Sequence, residues 1–336
     1  MSKTCCSEAE GGVVRANMGL RLPDKELAIL KDIGAGMAAV SIEELLLVLS
    51  GIKTDEGVRF YQKKIDLIFD RFLGKCAGKN LTFQSKPPLY LHQEVAGFLF
   101  EYLWTSKPRR FGENFLLTQV IDAQLNSGLH HSVGTCVGLT SLYSVLGLRA
   151  GLRLTLLVNS DHLLSRLRVG ERTIDIDHTD PQGFDCKNCQ DFLEWPLSML
   201  AASVLNSRGL ENEMNGKFIA AKSDYEKAIL FNPKYANAFN NRGNMKAWEG
   251  DIEGAIADYS EAIRINPDFC EAYCNRGMAN QKAGRYDEAR MDYNAAMRLN
   301  SNYSDARKCL QLLVDSGASG CKNGLITSSP LFPLED

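Results

Sequence analysis

The chain has 336 residues, of which 24% are charged and 45% hydrophobic, and its formal net charge is −3. That length suggests about two domains, and without a basic stripe interleaved with aromatics the charge gives no nucleic-acid-binding signal. The start, MSKTCCSEAEGG, lacks the apolar run of a secretory leader, and no stretch of about 18 apolar residues is present to span a membrane.

Ten cysteines are scattered over helical and core-like segments, which suits free thiols in a reducing, cytoplasmic compartment. Residues 1–20 are polar and read as a disordered tail; Cys5 and Cys6 have no myristoylation motif beside them. Residues 21–125 read as the helical first part of a core, with helix expected from Asp24 onwards. Ser41, followed by Glu44 three residues later, has the spacing of a capping box, and Gly51 stops that helix. Thr54–Phe72 reads as amphipathic, with Phe60, Ile65, Ile68, Phe69 and Phe72 on one side. After a loop with Gly78, Pro87 and Pro88, two more helices are expected at His92–Trp104 and Asn114–Gln124.

Around Gly128 the texture becomes turn-like, and residues 126–195 read as a second part of the core that carries strands. Cys136–Leu146 suits a buried helix and Leu152–Val158 a central strand. His162–Val169 and Arg172–Asp177 alternate on either side of a Gly-Glu turn, as a hairpin does. Beyond Pro181 no regular element is expected before the segment DFLEWPLSML.

This order of elements carries chemistry. Cys136 begins a helix after the Gly134-Thr135 turn, where orphan N–H groups and the helix dipole favour a thiolate. His162 opens a nearby strand and can take the thiol proton. Asp175 and Asp177 sit on the strand after that, where either could hold the imidazole in the useful tautomer. An oxyanion hole would need the Cys136 N–H and a side-chain donor, with Gln119, Gln124 and Asn126 as candidates. His130 and His131 read as loop residues. Cys186-Lys-Asn-Cys189 is a lone pair without the four ligands of a zinc site, so neither metal nor cofactor is expected.

The last third repeats with a period of 34 residues. Gly209, Gly243 and Gly277 share one position, Gly216, Gly250 and Gly284 the next, and then come Ala221, Ala255 and Ala289. Tyr225, Tyr259 and Tyr293 follow, then Ala228, Ala262 and Ala296, with Pro233 and Pro267 closing the first two copies. Period and residue types resemble the tetratricopeptide (TPR) repeat. The small residues let paired helices approach, and the turn glycine can take a positive φ. The tyrosine is expected to fill the gap between neighbouring hairpins. Residues 202–303 thus read as three repeats, residues 304–316 as a capping helix and residues 317–336 as a tail, with the array able to fold alone. A protein or peptide partner is expected in its groove, at Asn237, Asn240, Asn241, Asn244, Trp248 and Met278. Ser203, Ser207, Asn241, Glu271 and Asn275 replace the basic residues of a carboxylate clamp, which argues against a chaperone C-terminus as the ligand.

The stretch FLLTQVIDAQLNSGLHHSVGTCVGLTSLYSVLGLRAGL resembles the core of the transglutaminase-like superfamily, and in particular a bacterial subgroup that joins such a core to TPR repeats. NSDHLLSRLRVGERTIDIDHTDPQGFD is similar to that subgroup's histidine and acid strands, although Asp161 stands where a glycine is usual. The resemblance implies an α+β papain-like domain with a helical first part, followed by an all-α solenoid. It also implies Cys136 as nucleophile, His162 as base and Asp177, fifteen residues after the histidine, as orienting acid, with Asp175 as the rival. The activity implied is that of a cysteine acyl-transferase or a peptidase- or amidase-type hydrolase. Because the superfamily includes members that have lost the triad, a non-catalytic scaffold is the alternative.

Overall fold

The computed structural model describes residues 41–79, 81, 87–107, 112–126, 132–159, 162–187 and 192–315. The expected tails at 1–20 and 317–336, the helical start at Asp24, and His130, His131, Asp161 and Cys189 lie outside the described residues.

Among the described residues, four α-helices come first: α1 (Ile42–Leu49), α2 (Asp55–Gly78), α3 (His92–Ser106) and α4 (Leu117–Leu125). Ser41 Oγ accepts from the Glu44 N–H at 3.1 Å, and Thr54 caps α2 by accepting from the Gly57 N–H at 3.1 Å. α2 runs six residues beyond the expected Phe72. Its buried stripe is Val58, Ile65, Ile68, Phe72 and Cys76, whereas Phe60 is 54% exposed. Five residues separate Phe60 from Ile65, and at about 100° per residue that turns Phe60 to the other side. α4 starts three residues later than expected, because Asn114 is spent on a loop: its carbonyl accepts the Thr135 N–H at 2.7 Å and its amide donates to Val133 O at 3.0 Å.

Helix α5 (Cys136–Arg149) is the centre of this part. Every residue from Gly138 to Gly147 is buried, so this stretch of the helix is enclosed on every side, and its polar Thr140 and Ser141 hydroxyls bond to backbone carbonyls. Tyr143 Oη donates to Ala96 O of α3 at 2.9 Å, and Thr140 Oγ1 donates to Leu163 O at 3.3 Å, tying α5 to the sheet. The sheet has four antiparallel strands in the order β3-β2-β1-β4: β1 (Leu154–Val158), β2 (Leu163–Val169), β3 (Arg172–Ile176) and β4 (Leu193–Trp195). β4 lies within the segment DFLEWPLSML, for which the sequence predicts no strand. Three residues, two of them exposed, leave too little alternation to reveal it.

Six helices in three antiparallel pairs follow, then a last one: α6 (Leu200–Met214), α7 (Phe218–Phe231), α8 (Ala236–Trp248), α9 (Ile252–Ile265), α10 (Cys270–Lys282), α11 (Tyr286–Leu299) and α12 (Ser304–Asp315). Gly216, Gly250 and Gly284 take φ of +71°, +85° and +77° at the hairpin turns. The repeat tyrosine packs on the glycine of its own hairpin and also meets the next one, as expected: Tyr225 clusters with Met245 and Tyr259 with Ala279. A Cβ on Gly209, Gly243 or Gly277 would come within 2.4, 2.7 and 2.7 Å of the ring of Tyr225, Tyr259 or Tyr293. Glycine is required there because the ring takes the space a side chain would fill.

The array is not a separate body. Leu200, Ala201, Ala202, Val204 and Leu205 of α6, with Phe231 and Tyr235, share one apolar core with α1–α5 and the sheet. Arg208 also donates to Leu49 O, at the end of α1, at 2.7 Å. The later repeats hold small cores of their own. No helix among the described residues is long and apolar enough to cross a membrane.

Candidate active site

Cys136 is the first residue of α5, half-buried, behind an N-cap whose Thr135 Oγ1 accepts from the Gly138 N–H at 3.3 Å. His162 immediately precedes β2, and its N–H donates to Asn159 Oδ1, just past the end of β1, at 2.6 Å. Asp177 immediately follows β3 and is held by the next turn, where its N–H donates to Gly183 O at 2.9 Å. The β2–β3 register sets Ser165 opposite Ile176. Continued outward, it puts Asp177 on the diagonal from His162, within reach across the hairpin.

His162 Nε2 lies 3.1 Å from Asp177 Oδ2, and the Cys136 thiol is near enough to act on the same ring. With Nε2 facing the carboxylate, Nδ1 is the nitrogen left for the thiol proton. Thr179 donates to Asp177 Oδ1 through its N–H at 2.8 Å and its hydroxyl at 2.6 Å. These contacts set the charge states. The hydrogen bond to Asp177, then the neighbouring Cys136 sulfur, together outweigh partial burial and raise the His162 imidazole from 6.5 to about 10. Burial pushes Asp177 up, but the bonds from His162 and Thr179 outweigh it and the carboxyl falls to about 2. The geometry therefore favours an imidazolium held between a carboxylate and a sulfur.

Asp175 is engaged elsewhere. It sits opposite Arg166 and pairs with it through two bonds, of 2.6 and 2.8 Å. Arg166 continues to Glu194 on β4 at 3.0 Å, so this network braces the sheet. Of the oxyanion candidates, Gln124 and Asn126 line a separate cavity with Ile68 and Arg71, while Gln119 Oε1 accepts the Leu116 N–H at 3.3 Å at the start of α4. At Cys136 itself, Thr135 takes the N–H groups of Gly138 and Leu139, and no described residue engages those of Cys136 and Val137. They are orphan donors of the first turn, available to a developing oxyanion.

Cys136 and His162 open into a cavity of about 650 Å³ whose far wall is helix α6. Ser203, Asn206, Ser207, Leu210 and Met214 form that wall, the three-and-four spacing of one helix face. Tyr235 and Asn237 adjoin it, and burial pushes the Tyr235 phenol up to about 12, so it stays neutral. Only the folded chain brings these residues to the thiol; nothing local in the sequence links residue 203 to residue 136.

Of the groove residues expected to bind a partner, Asn237 lines this cavity. Asn240 and Asn244 are buried and accept from Asn275 Nδ2 at 2.9 and 3.2 Å, while Asn241 donates to Asn206 at 3.0 Å. These five amides cross-link successive repeats. Trp248 is 42% exposed and packs on Phe218 with ring centroids 4.4 Å apart. Met278 is half-buried against the small core of the third repeat. One set of structural residues was missed by the sequence reading. Arg208, Arg242 and Arg276 each pair with an aspartate sixteen residues on, Asp224, Asp258 and Asp292, at 2.6 to 3.0 Å. The signal was present, since both residues recur with the 34-residue period. No group of three His, Cys, Asp or Glu placed to hold a metal occurs among the described residues.

Comparison with known proteins matches residues 248–284 to a TPR repeat family and residues 271–303 to a tetratricopeptide repeat family; neither match reaches Cys136. Among solved structures, the first TPR of Spaghetti (RPAP3), bound to the HSP90 peptide SRMEEVD, is 26% identical; the match covers 35% of this chain and 94% of that one, with a TM-score of 0.35. The Arabidopsis OM64 TPR domain is 25% identical over 35% of this chain and 98% of its own, with a TM-score of 0.35. MamA is 19% identical over 35% of this chain and 69% of its own, with a TM-score of 0.33. No curated protein matches. The C-terminal helix pairs are tetratricopeptide repeats, a fold element through which proteins bind other proteins.

Proposed function

We propose that the protein is a transglutaminase-like cysteine acyl-transferase or hydrolase whose repeats recruit a protein or peptide. The observation that carries this reading is the contact chain Cys136–His162–Asp177, which opens into a cleft walled by the first repeat. In the reacting form the Cys136 proton is already on His162 Nδ1, which makes the ring an imidazolium. The thiolate attacks an acyl carbon, a C–S bond forms, and the C–N bond of the amide breaks as His162 returns the proton to the leaving amine. Water, or a second amine, then attacks the thioester. His162 takes the nucleophile's proton and hands it to the departing sulfur. Asp177 keeps the ring oriented throughout.

The test is site-resolved alkylation of the full chain by iodoacetamide near pH 6, read by mass spectrometry. Cys136 is expected to react faster than the other cysteines. His162→Ala is expected to slow it at least about 10²-fold and Asp177→Asn by less, since the acid acts only through the ring. An unreactive Cys136, or one indifferent to His162→Ala, would leave a non-catalytic scaffold as the reading.

A further inference from the structure

We propose that the Cys136 cleft takes an extended polypeptide carrying a lysine or arginine, with the first repeat as its binding wall. This rests on Cys136 being the nucleophile. The wall starts at Ser203, which lines the cavity beside the Tyr235 phenol.

The chemistry of the wall names its ligand. Ser203, Asn206, Ser207 and Asn237 are neutral donors and acceptors of the kind that pair with peptide amides, and Leu210 and Met214 beside them offer apolar contact. Length points the same way. A second cavity of about 570 Å³ shares Val158, Asn159, Tyr235 and Asn237 with the first and continues past β4 to the turn at Pro267. The two adjoining cavities together give more length than a small amide needs and fit an extended chain.

Charge sets the preference. Glu113 and Glu211 are exposed on the rim of the Cys136 cavity, and no described lysine or arginine lines it. Neither carboxylate forms a salt bridge with a described residue. The one cationic side chain lining this cavity, the His162 imidazolium, is paired with Asp177, and the adjoining cavity carries Lys234 with Asp268, one charge of each sign, so the rim carboxylates set the balance: they attract a basic side chain and repel an acidic one.

Two iodoacetylated tripeptide amides test this on the full chain, Ala-Lys-Ala and Ala-Glu-Ala, with the labelling rate at Cys136 read by mass spectrometry. The lysine probe is expected to react about ten times faster at low salt, and the difference should shrink towards none near 1 M salt. It should also shrink in the E113Q/E211Q double variant and reverse in Leu210→Lys, a change at a 42% exposed position that the fold tolerates. Equal rates at low salt, or a preference that survives in E113Q/E211Q, overturn the proposal while leaving Cys136 as nucleophile. If both probes are slow although iodoacetamide labels Cys136 rapidly, the polypeptide occupant is wrong. If iodoacetamide also fails at Cys136, the nucleophile reading and this one fall together.

Discussion

At the residue scale, two groups with opposite shifts define a pH window. The His162 imidazole is raised from 6.5 to about 10. Its contribution to stability is therefore complete below the unfolded value and is lost as pH rises through the folded one. Asp177 is lowered from 3.8 to about 2, so its contribution is complete above the unfolded value and is lost as pH falls through the folded one. The stability difference between the wild type and Asp177→Asn should be flat from about pH 4 to 6.5 and shrink towards pH 10 in urea melts. A difference that grows between pH 7 and 10 would contradict the pairing. Gly183 gives a second residue-scale prediction. A Cβ there would lie 2.2 Å from Asp177 O and 2.8 Å from its Cβ. Gly183→Ala should therefore move the acid, destabilise the fold by about 1–3 kcal/mol, and slow Cys136 alkylation towards the Asp177→Asn rate. A Gly183→Ala protein that alkylates like the wild type would show that the 177–183 turn does not position the acid.

At the element scale, the repeats are held by a recurrent ion pair as well as by small-residue packing. Asp258 is 4% exposed and accepts from Arg242 at 2.8 Å on each oxygen, with Lys246 at 2.9 Å from Oδ2. Asp258→Ala leaves two cations facing a vacated, buried position. It should cost about 3 kcal/mol in a chemical melt. An exposed pair such as Arg264–Glu261, removed as a control, should change stability little. The hairpins were legible in the sequence because one pattern is written three times, so glycines, alanines and tyrosines could be checked against one another. The four-stranded sheet was only partly legible. β2 and β3 flank a recognisable turn, but β4 has three residues and gains its place from pairing with β1.

At the scale of the whole molecule, the sequence reading treats the array as a unit able to fold alone, and the shared core changes that expectation. Cutting before residue 200 would expose Ala201, Ala202, Val204 and Leu205, all at most 1% exposed in the full chain. A fragment of residues 200–315 should be helical by circular dichroism, yet bind a hydrophobic dye and melt well below the array in the full chain. A fragment that binds no dye and melts with the full chain would show that the first repeat needs no neighbour. The same junction brings the face of α6 to the thiol, so the repeat that completes the core also completes the cleft.

The sequence by itself determined the repeat, its hairpin turns, and the local settings of Cys136 at a helix start and His162 at a strand edge, because each depends on neighbours a few residues away or on periodic copies. The tertiary structure decided what depends on distance across the fold. Asp177 rather than Asp175 meets the imidazole because the β2–β3 register sets Asp175 against Arg166. Asn240, Asn241 and Asn244 cross-link repeats because α8 lies between α6 and α10. The wall facing Cys136 comes from α6 because burial of its apolar face in the common core fixes how the array sits on the sheet. Periodicity records which face of a helix is apolar, but only packing settles which surface covers it.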